Sequence, residues 1–171
     1  NNYENISNYI HMFNEFFKCS GCETMDLKEF EFDRSNSKND LVLILGANGS
    51  GKSFLLSELT PEPTEHVGNR TSKRYVPGED GRKTLKYVVS SNDIDTDEYT
   101  CEINYSSDGK KTVCFFKHKD LNTGVEEELN ANGNVSSYME LCKVHLGYDK
   151  NFKNIGYLTD EVKSIINMTY T

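Results

Sequence analysis

The residues best suited to chemistry are the eight at positions 46–53, which read Gly-Ala-Asn-Gly-Ser-Gly-Lys-Ser. They fit the pattern G-x-x-x-x-G-K-[ST] with no mismatch. Glycines in such a loop let consecutive backbone N–H groups turn inward around phosphate oxygens without obstruction by side chains. The lysine reaches the β- and γ-phosphates, and the hydroxyl of the next residue is a Mg²⁺ ligand. The stretch therefore predicts a loop that binds the phosphates of a nucleotide together with Mg²⁺.

The segments on either side of this loop are of the types that a phosphate loop requires. Residues 41–45 form a continuous apolar run, which is typical of a strand buried on both faces. Residues 52–59 are predicted to form a short helix that Pro61 and Pro63 end. The positive N-terminal end of this helix is expected to face the phosphates. The predicted nucleotide-binding residues are Asn48, Gly49, Ser50, Gly51, Lys52, Ser53 and Phe54, with Ser53 as the Mg²⁺ ligand.

A phosphate loop alone does not hydrolyse a nucleotide, because hydrolysis also needs an acid that holds Mg²⁺ and a group that positions water. The nearest candidate acid is Asp93, but three polar residues separate it from the apolar run at 85–89. Residues 93–98 are acidic and are predicted to form a solvated turn. The sequence thus predicts nucleotide binding without identifying a catalytic residue.

The remaining segments predict further helices and strands. Apolar residues at helical spacing favour a helix over 3–18, with a strand as the alternative, and 25–33 alternate as an edge strand does. Strands at 85–89, 99–105 and 113–117 are expected to form an antiparallel meander within 85–129. A helix is predicted over 135–146 with Gly147 as its C-cap, then a strand at 152–158 and a helix that Thr159 begins.

Charge and composition limit the possible partners. The 171 residues include 19 Lys and Arg against 27 Asp and Glu, a net charge of −8, and no apolar run is long enough for a transmembrane helix. The basic residues cluster within 66–87, largely in a polar loop at 60–84, and either bind DNA or merely keep the loop solvated. These DNA-binding candidates are Arg70, Lys73, Arg74, Arg82, Lys83 and Lys86.

The five cysteines are predicted to be reduced, as in cytosolic proteins, because their number is odd and no secretory signal precedes them. Cys101, Cys114 and Cys142 alternate with apolar residues as core cysteines do. Cys19 and Cys22 are expected to form a plain turn, since zinc needs four ligands. The chain does not begin with Met, and we expect it to be processed or an excerpt of a longer protein.

The form G-x-N-G-S-G-K-S at 46–53 resembles the ABC-type ATPases, especially their SMC-like DNA-repair branch. The stretches HLGYDKNFKNIGYL at 145–158 and TDEVKSIINMTYT at 159–171 are similar to the SbcC family, where a helix ends in Leu-Gly and a strand runs into the Q-loop. The bacteriophage recombination-endonuclease subunits of that family look most similar. The resemblance covers residues 25–171 and leaves 1–24 unassigned.

This resemblance implies an α/β fold: one P-loop NTPase lobe over 1–171, like that of an ABC ATPase, with a mixed core sheet and an antiparallel β-layer. It implies binding of ATP and Mg²⁺, homodimerisation through ATP, and gating of a partner nuclease on double-stranded DNA in the cytoplasm of a bacterium or infected host. Hydrolysis would require the C-terminal half of the ATPase head. The chain departs from the family at the Q-loop, where residues 157–160 contain no Gln. This leaves the role of the sensor open, with Thr159 and Asp160 as the candidates to fill it.

Two other functions are compatible with the sequence. A non-hydrolysing nucleotide-binding module for assembly or inhibition would need only the phosphate loop. A small P-loop kinase would have a similar chain length, but the expected meander does not fit the alternating β-α pattern of such kinases.

Overall fold

A six-stranded antiparallel sheet is the main element of the computed structural model of this chain. The structure describes residues 10–20, 29–31, 44–52, 55, 58–63, 80–91, 94–108 and 110–148. The strands are β1 (Ile10–Ser20), β2 (Glu29–Glu31), β3 (Gly81–Ser91), β4 (Ile94–Tyr105), β5 (Thr112–Asp120) and β6 (Glu126–Glu128). Their order in the sheet is β2-β1-β3-β4-β5-β6. The helix α1 (Val135–Leu146) follows the last strand.

The predicted meander is confirmed in β3, β4 and β5, which are longer than expected. Residues 94–98, expected in a solvated turn, instead belong to β4, where Asp97 pairs with Asp120 of β5. That prediction was wrong because acidic side chains are tolerated on a strand when a neighbouring strand supplies hydrogen-bonding partners, as Ser90 does for Asp95 and His118 for Asp97.

The first strand corrects a second prediction. A helix was expected over 3–18, but Ile10–Ser20 is β1, which pairs with both β2 and β3. Its register against β3 shifts between Asn14 and Phe16, so that one extra residue interrupts the strand. Such a bulge breaks the period of two that identifies a strand, and the remaining apolar spacing then resembles that of a helix.

The apolar run before the phosphate loop also differs from expectation. Residues 41–43 lie outside the described part of the chain. Ile44 is partly buried against the core, but Leu45 is 80% exposed, and neither belongs to a strand. The prediction of a run buried on both faces is therefore wrong at Leu45, where the chain has already left the core to begin the loop.

The core lies between one face of the sheet and α1. Alternate residues of β3, β4 and β5 point to this face, and α1 contributes Tyr138, Cys142 and Leu146. The predicted helix and its cap are confirmed: Gly147 has φ 64°, and its N–H donates to the carbonyl of Lys143. The expected strand at 152–158, the last helix and the Q-loop position at Thr159 or Asp160 lie outside the described residues.

Candidate phosphate-binding site

The phosphate loop is an exposed turn between the core and a helical segment. Residues 45–50 are exposed, and the amide of Ser50 donates to the carbonyl of Ala47 over 3.2 Å. Gly49 and Gly51 have φ of 81° and 89°, in the left-handed region that residues with a Cβ rarely adopt. Two of the three glycines in the loop, Gly49 and Gly51, are thus where the backbone conformation favours glycine.

Lys52 closes this loop from one side. Its ammonium donates to the carbonyl oxygens of Gly46, over 2.7 Å, and Ala47, over 2.8 Å. An ammonium group has three protons, and these two hydrogen bonds leave one for an anion. The side chain thereby places a positive charge at the loop and also ties the loop's first residues to its last.

A helical segment follows directly, as the sequence predicts. The amide of Leu55 donates to the carbonyl of Gly51 over 2.9 Å, and that of Leu59 to the carbonyl of Leu55 over 3.0 Å. Residues 60–63 are no longer helical, in agreement with an end imposed by Pro61. Ser53 and Phe54, predicted to take part in Mg²⁺ and nucleotide binding, lie outside the described residues.

The far end of this segment, which we call the P-helix (described residues Lys52, Leu55, Glu58 and Leu59), is held by a buried lysine. Lys83 and Glu58 are both 0% exposed, with 3.4 Å between Nζ and Oε2. The same ammonium donates to the carbonyls of Thr60, over 3.1 Å, and Glu62, over 2.9 Å. A charge buried this deeply persists only with such partners.

This position of Lys83 corrects its assignment to a DNA-binding cluster. On β3 the residues at 81, 83, 85 and 87 share the buried face, so Lys83 points into the core beside Leu85 and Tyr87. The sequence signal that identifies it is this alternation, which outweighs the charge of the side chain. Lys83 is therefore unavailable to a nucleic acid.

Three tyrosine hydroxyls hold the same end of the P-helix. Tyr87 donates to the carbonyl of Leu59 over 2.9 Å, and Tyr138 of α1 to that of Pro61 over 2.6 Å. Tyr148 donates to Oε2 of Glu62 over 2.9 Å. Burial raises the pKa of Tyr87 and Tyr138 well above the ordinary tyrosine value, so both remain protonated donors. We call Lys83, Tyr87 and Tyr138 the carbonyl cradle.

The remaining described DNA candidates lie on the opposite face of β3 and are paired with acids. Nη2 of Arg82 is 2.8 Å from Oε1 of Glu102, and Nζ of Lys86 is 3.9 Å from Oε1 of Glu98. The structure thus separates Lys83 from Arg82 and Lys86 rather than uniting all three. Arg70, Lys73 and Arg74 lie outside the described residues.

The predicted core cysteines are buried and free. The pKa of Cys142 is raised mainly by a hydrogen bond with Cys101 and, to a smaller extent, by burial. Burial raises the pKa of Cys114 to about 12. The thiols of Cys114 and Cys142 therefore remain protonated and unreactive. Cys19 is also buried, whereas Cys22 lies outside the described residues. In the part of the chain that the structure describes, no group of His, Cys, Asp and Glu is arranged to hold a metal ion.

A cluster that the sequence did not indicate lies beside the carbonyl cradle, on the strands next to Tyr87. His118 of β5 stacks on Tyr99 of β4 with ring centroids 5.0 Å apart, and the Tyr99 hydroxyl is 3.3 Å from Nδ1 of His145. Only the register that pairs Tyr99 with His118 brings these residues together. Sequence spacing alone gives no signal for such a cluster.

The fold and this site were compared with known proteins. No family model, no curated protein and no solved structure matches the chain. Among the described residues, no helix is long and apolar enough to cross a membrane.

Proposed function

We propose that the chain is the ATP-binding N-terminal half of an SMC-like ATPase head that acts in DNA repair or recombination. The observation that carries the proposal is the closed phosphate loop, in which Lys52 joins the loop's first carbonyls while Gly49 and Gly51 adopt left-handed conformations. This arrangement supports binding of a nucleoside triphosphate, because it combines a cation with a loop whose left-handed glycines are typical of phosphate-binding backbones.

In this proposal the α/β P-loop lobe binds ATP, and Ser53 is a ligand of its Mg²⁺. The C-terminal half of the head would supply the acid and the signature motif that complete the ATPase. ATP-driven homodimerisation of heads would then gate a partner nuclease on double-stranded DNA, in the cytoplasm of a bacterium or infected host.

The alternative of a non-hydrolysing module has support from the described acids. Glu58, the described acid of the P-helix, is buried and paired with Lys83, and Asp97 accepts a hydrogen bond from His118. Asp95 accepts one from Ser90. These three carboxylates already have hydrogen-bonding or ionic partners within the fold, which favours binding without turnover by the chain on its own.

The test of the proposal is nucleotide binding by the Lys52→Ala variant. We expect the wild-type chain to bind ATP–Mg²⁺ in calorimetry. The variant should bind at least about tenfold more weakly, since a hydrogen bond to a charged group contributes about 1.5–3 kcal/mol. Lys110→Ala, which removes an exposed lysine from the turn after β4, is the matched control. Equal affinity in wild type and Lys52→Ala would refute the proposal.

Hydrolysis provides a separate prediction. The purified 171-residue chain should release phosphate from ATP no faster than the buffer does, because a phosphate loop lacks the acid that hydrolysis needs. A phosphate-release assay measures this. Turnover that disappears in Lys52→Ala would mean that the chain itself contains a catalytic acid.

A further inference from the structure

We propose that Lys83 is a positioning residue for the phosphate loop: from the core of the sheet, it fixes the far end of the P-helix and thereby the loop at its near end. The inference rests on the proposed nucleotide-binding function and adds to it a residue that contacts no nucleotide.

The donors of the carbonyl cradle all point to the end of the P-helix or to the turn that follows it. The last carbonyls of a helix have no partner within the helix and are usually solvated. Here the carbonyl oxygen of Leu59, at the end of the P-helix, accepts from a cradle side chain. The carbonyl oxygens of the next three residues, in the turn that follows the P-helix, do the same: Thr60, Pro61 and Glu62. These donors come from β3 and α1, so the end of the P-helix is joined to two separate elements of the fold.

Lys83 contributes a positive charge as well as hydrogen bonds. The end of a helix carries a partial negative charge, which a cation complements. A buried ion pair is a weak source of stability, because apolar residues of similar size often replace it without loss. Besides stability, Lys83 fixes the position of the end of the P-helix. Its one ammonium group binds the carboxylate of Glu58 and two carbonyls at fixed distances.

A displacement at the far end of the P-helix should reach the phosphate loop at its near end. Two described hydrogen bonds join the ends of the P-helix, from the amide of Leu55 to the carbonyl of Gly51 and from the amide of Leu59 to the carbonyl of Leu55. We therefore expect that displacement of one end displaces the other. Binding of phosphates by backbone amides depends on their placement, and a shift of about 1 Å in a site costs up to roughly a hundredfold in function. Loss of the Lys83 contacts should therefore alter the loop while every loop residue stays unchanged.

The experiment compares a double variant, Lys83→Met with Glu58→Met, with the wild-type chain. Both charges are removed together so that neither is left buried and unpaired. We expect ATP–Mg²⁺ to bind about tenfold more weakly, or worse, in calorimetry. The backbone amide resonances of Gly49 and Gly51 should also shift in ¹⁵N spectra recorded without nucleotide, which a purely stabilising role would not cause.

The matched control is Asn130→Ala, which removes buried hydrogen bonds beside β5 and leaves the cradle intact. All variants are measured where circular dichroism shows them folded. Should the double variant fail to fold, Tyr87→Phe removes one cradle hydrogen bond without a charge and should produce a smaller change of the same kind.

The outcomes separate this inference from the proposed function. Unchanged affinity and unchanged glycine amides in a folded double variant would overturn the role of Lys83. The role of Lys83 would also be overturned if Asn130→Ala shifted the amide resonances of Gly49 and Gly51 as much as the double variant does. If the wild-type chain binds no nucleotide, the proposed function fails, while the glycine amides still decide whether Lys83 positions the loop.

Discussion

The imidazole of His118 lies between two carboxylates. Its Nε2 is 2.7 Å from Oδ1 of Asp97, and its Nδ1 is 3.4 Å from Oε1 of Glu127. Carboxylates accept hydrogen bonds, and only the imidazolium form has a proton on both ring nitrogens. The protonated ring is therefore the form that joins β4, β5 and β6 at this point.

This geometry predicts a pH dependence of stability. Burial by itself lowers the pKa of His118, but the hydrogen bonds with Asp97 and Glu127 outweigh burial and raise the pKa above its ordinary value. The contribution of His118 is thus complete below the unfolded pKa of about 6.5 and is lost as pH rises through the higher folded pKa. Urea unfolding at several pH values should show a fall in this range that His118→Gln flattens. Identical pH profiles for both proteins would contradict the prediction.

Single residues also show the limit of prediction from sequence. The phosphate loop could be predicted because its residues are consecutive and the required conformations are local. Lys83 could not be placed, because its partners at Glu58, Thr60 and Glu62 are brought to it by tertiary structure. A lysine in a basic stretch is normally exposed. Lys83 was therefore assigned to the surface, although the alternation of β3 places it on the buried face.

At the level of elements, the outer edge of β5 is completed by side-chain as well as backbone hydrogen bonds. Strand β6 covers only three residues of β5. Beyond it, the side-chain amide of Asn130 donates to the carbonyls of Cys114 and Asn134, and Oε1 of Glu128 accepts from the amide of Phe116. These contacts protect an edge that would otherwise expose unpaired backbone groups.

Replacement of Asn130 should therefore destabilise the fold. Asn130→Ala leaves the buried carbonyl of Cys114 without this donor, and we expect a loss of about 1–3 kcal/mol in the free energy of unfolding. Asn132→Ala, at an exposed asparagine two residues away, is the control and should cost less. Urea denaturation compares the two. Equal losses would mean that the side-chain amide of Asn130 does not complete the edge.

The elements differ in how well the sequence specifies them. The bounds of α1 agree with prediction because its apolar spacing and its C-cap at Gly147 are local signals. The meander was also predicted, since turn residues separate its strands. By contrast, β1 was predicted as a helix because the register shift between Asn14 and Phe16 disrupts its alternation. Local signals specify elements, whereas irregularities in strand pairing become visible only in the assembled sheet.

For the whole molecule, the excess of acids limits how DNA could bind. Arg82 and Lys86 are paired with Glu102 and Glu98, and Lys83 is buried, which leaves Arg70, Lys73 and Arg74 as the main basic candidates. Under the proposed function, reversal of these three to Glu, in a head completed by its C-terminal half, should weaken DNA binding.

The salt dependence measures how many contacts are lost. Each phosphate contact releases counterions, so the slope of log affinity against log salt should flatten by about one unit per contact. ATP binding, measured in parallel, should not change because the loop is untouched. An unchanged slope with unchanged affinity would assign these residues to a solvated loop.

The chain has ten tyrosines and no tryptophan. Tyr87 and Tyr138 of the carbonyl cradle are buried, and both donate hydrogen bonds to the end of the P-helix. Near-ultraviolet circular dichroism reports the fixed packing of aromatic rings, and here no indole signal obscures the phenols. The unlabelled protein consequently has an optical probe of how its buried tyrosines pack, and the difference between wild type and Tyr87→Phe isolates a contribution from the end of the P-helix. This probe allows the effect of temperature or of cradle substitutions on the nucleotide-free chain to be followed directly in solution.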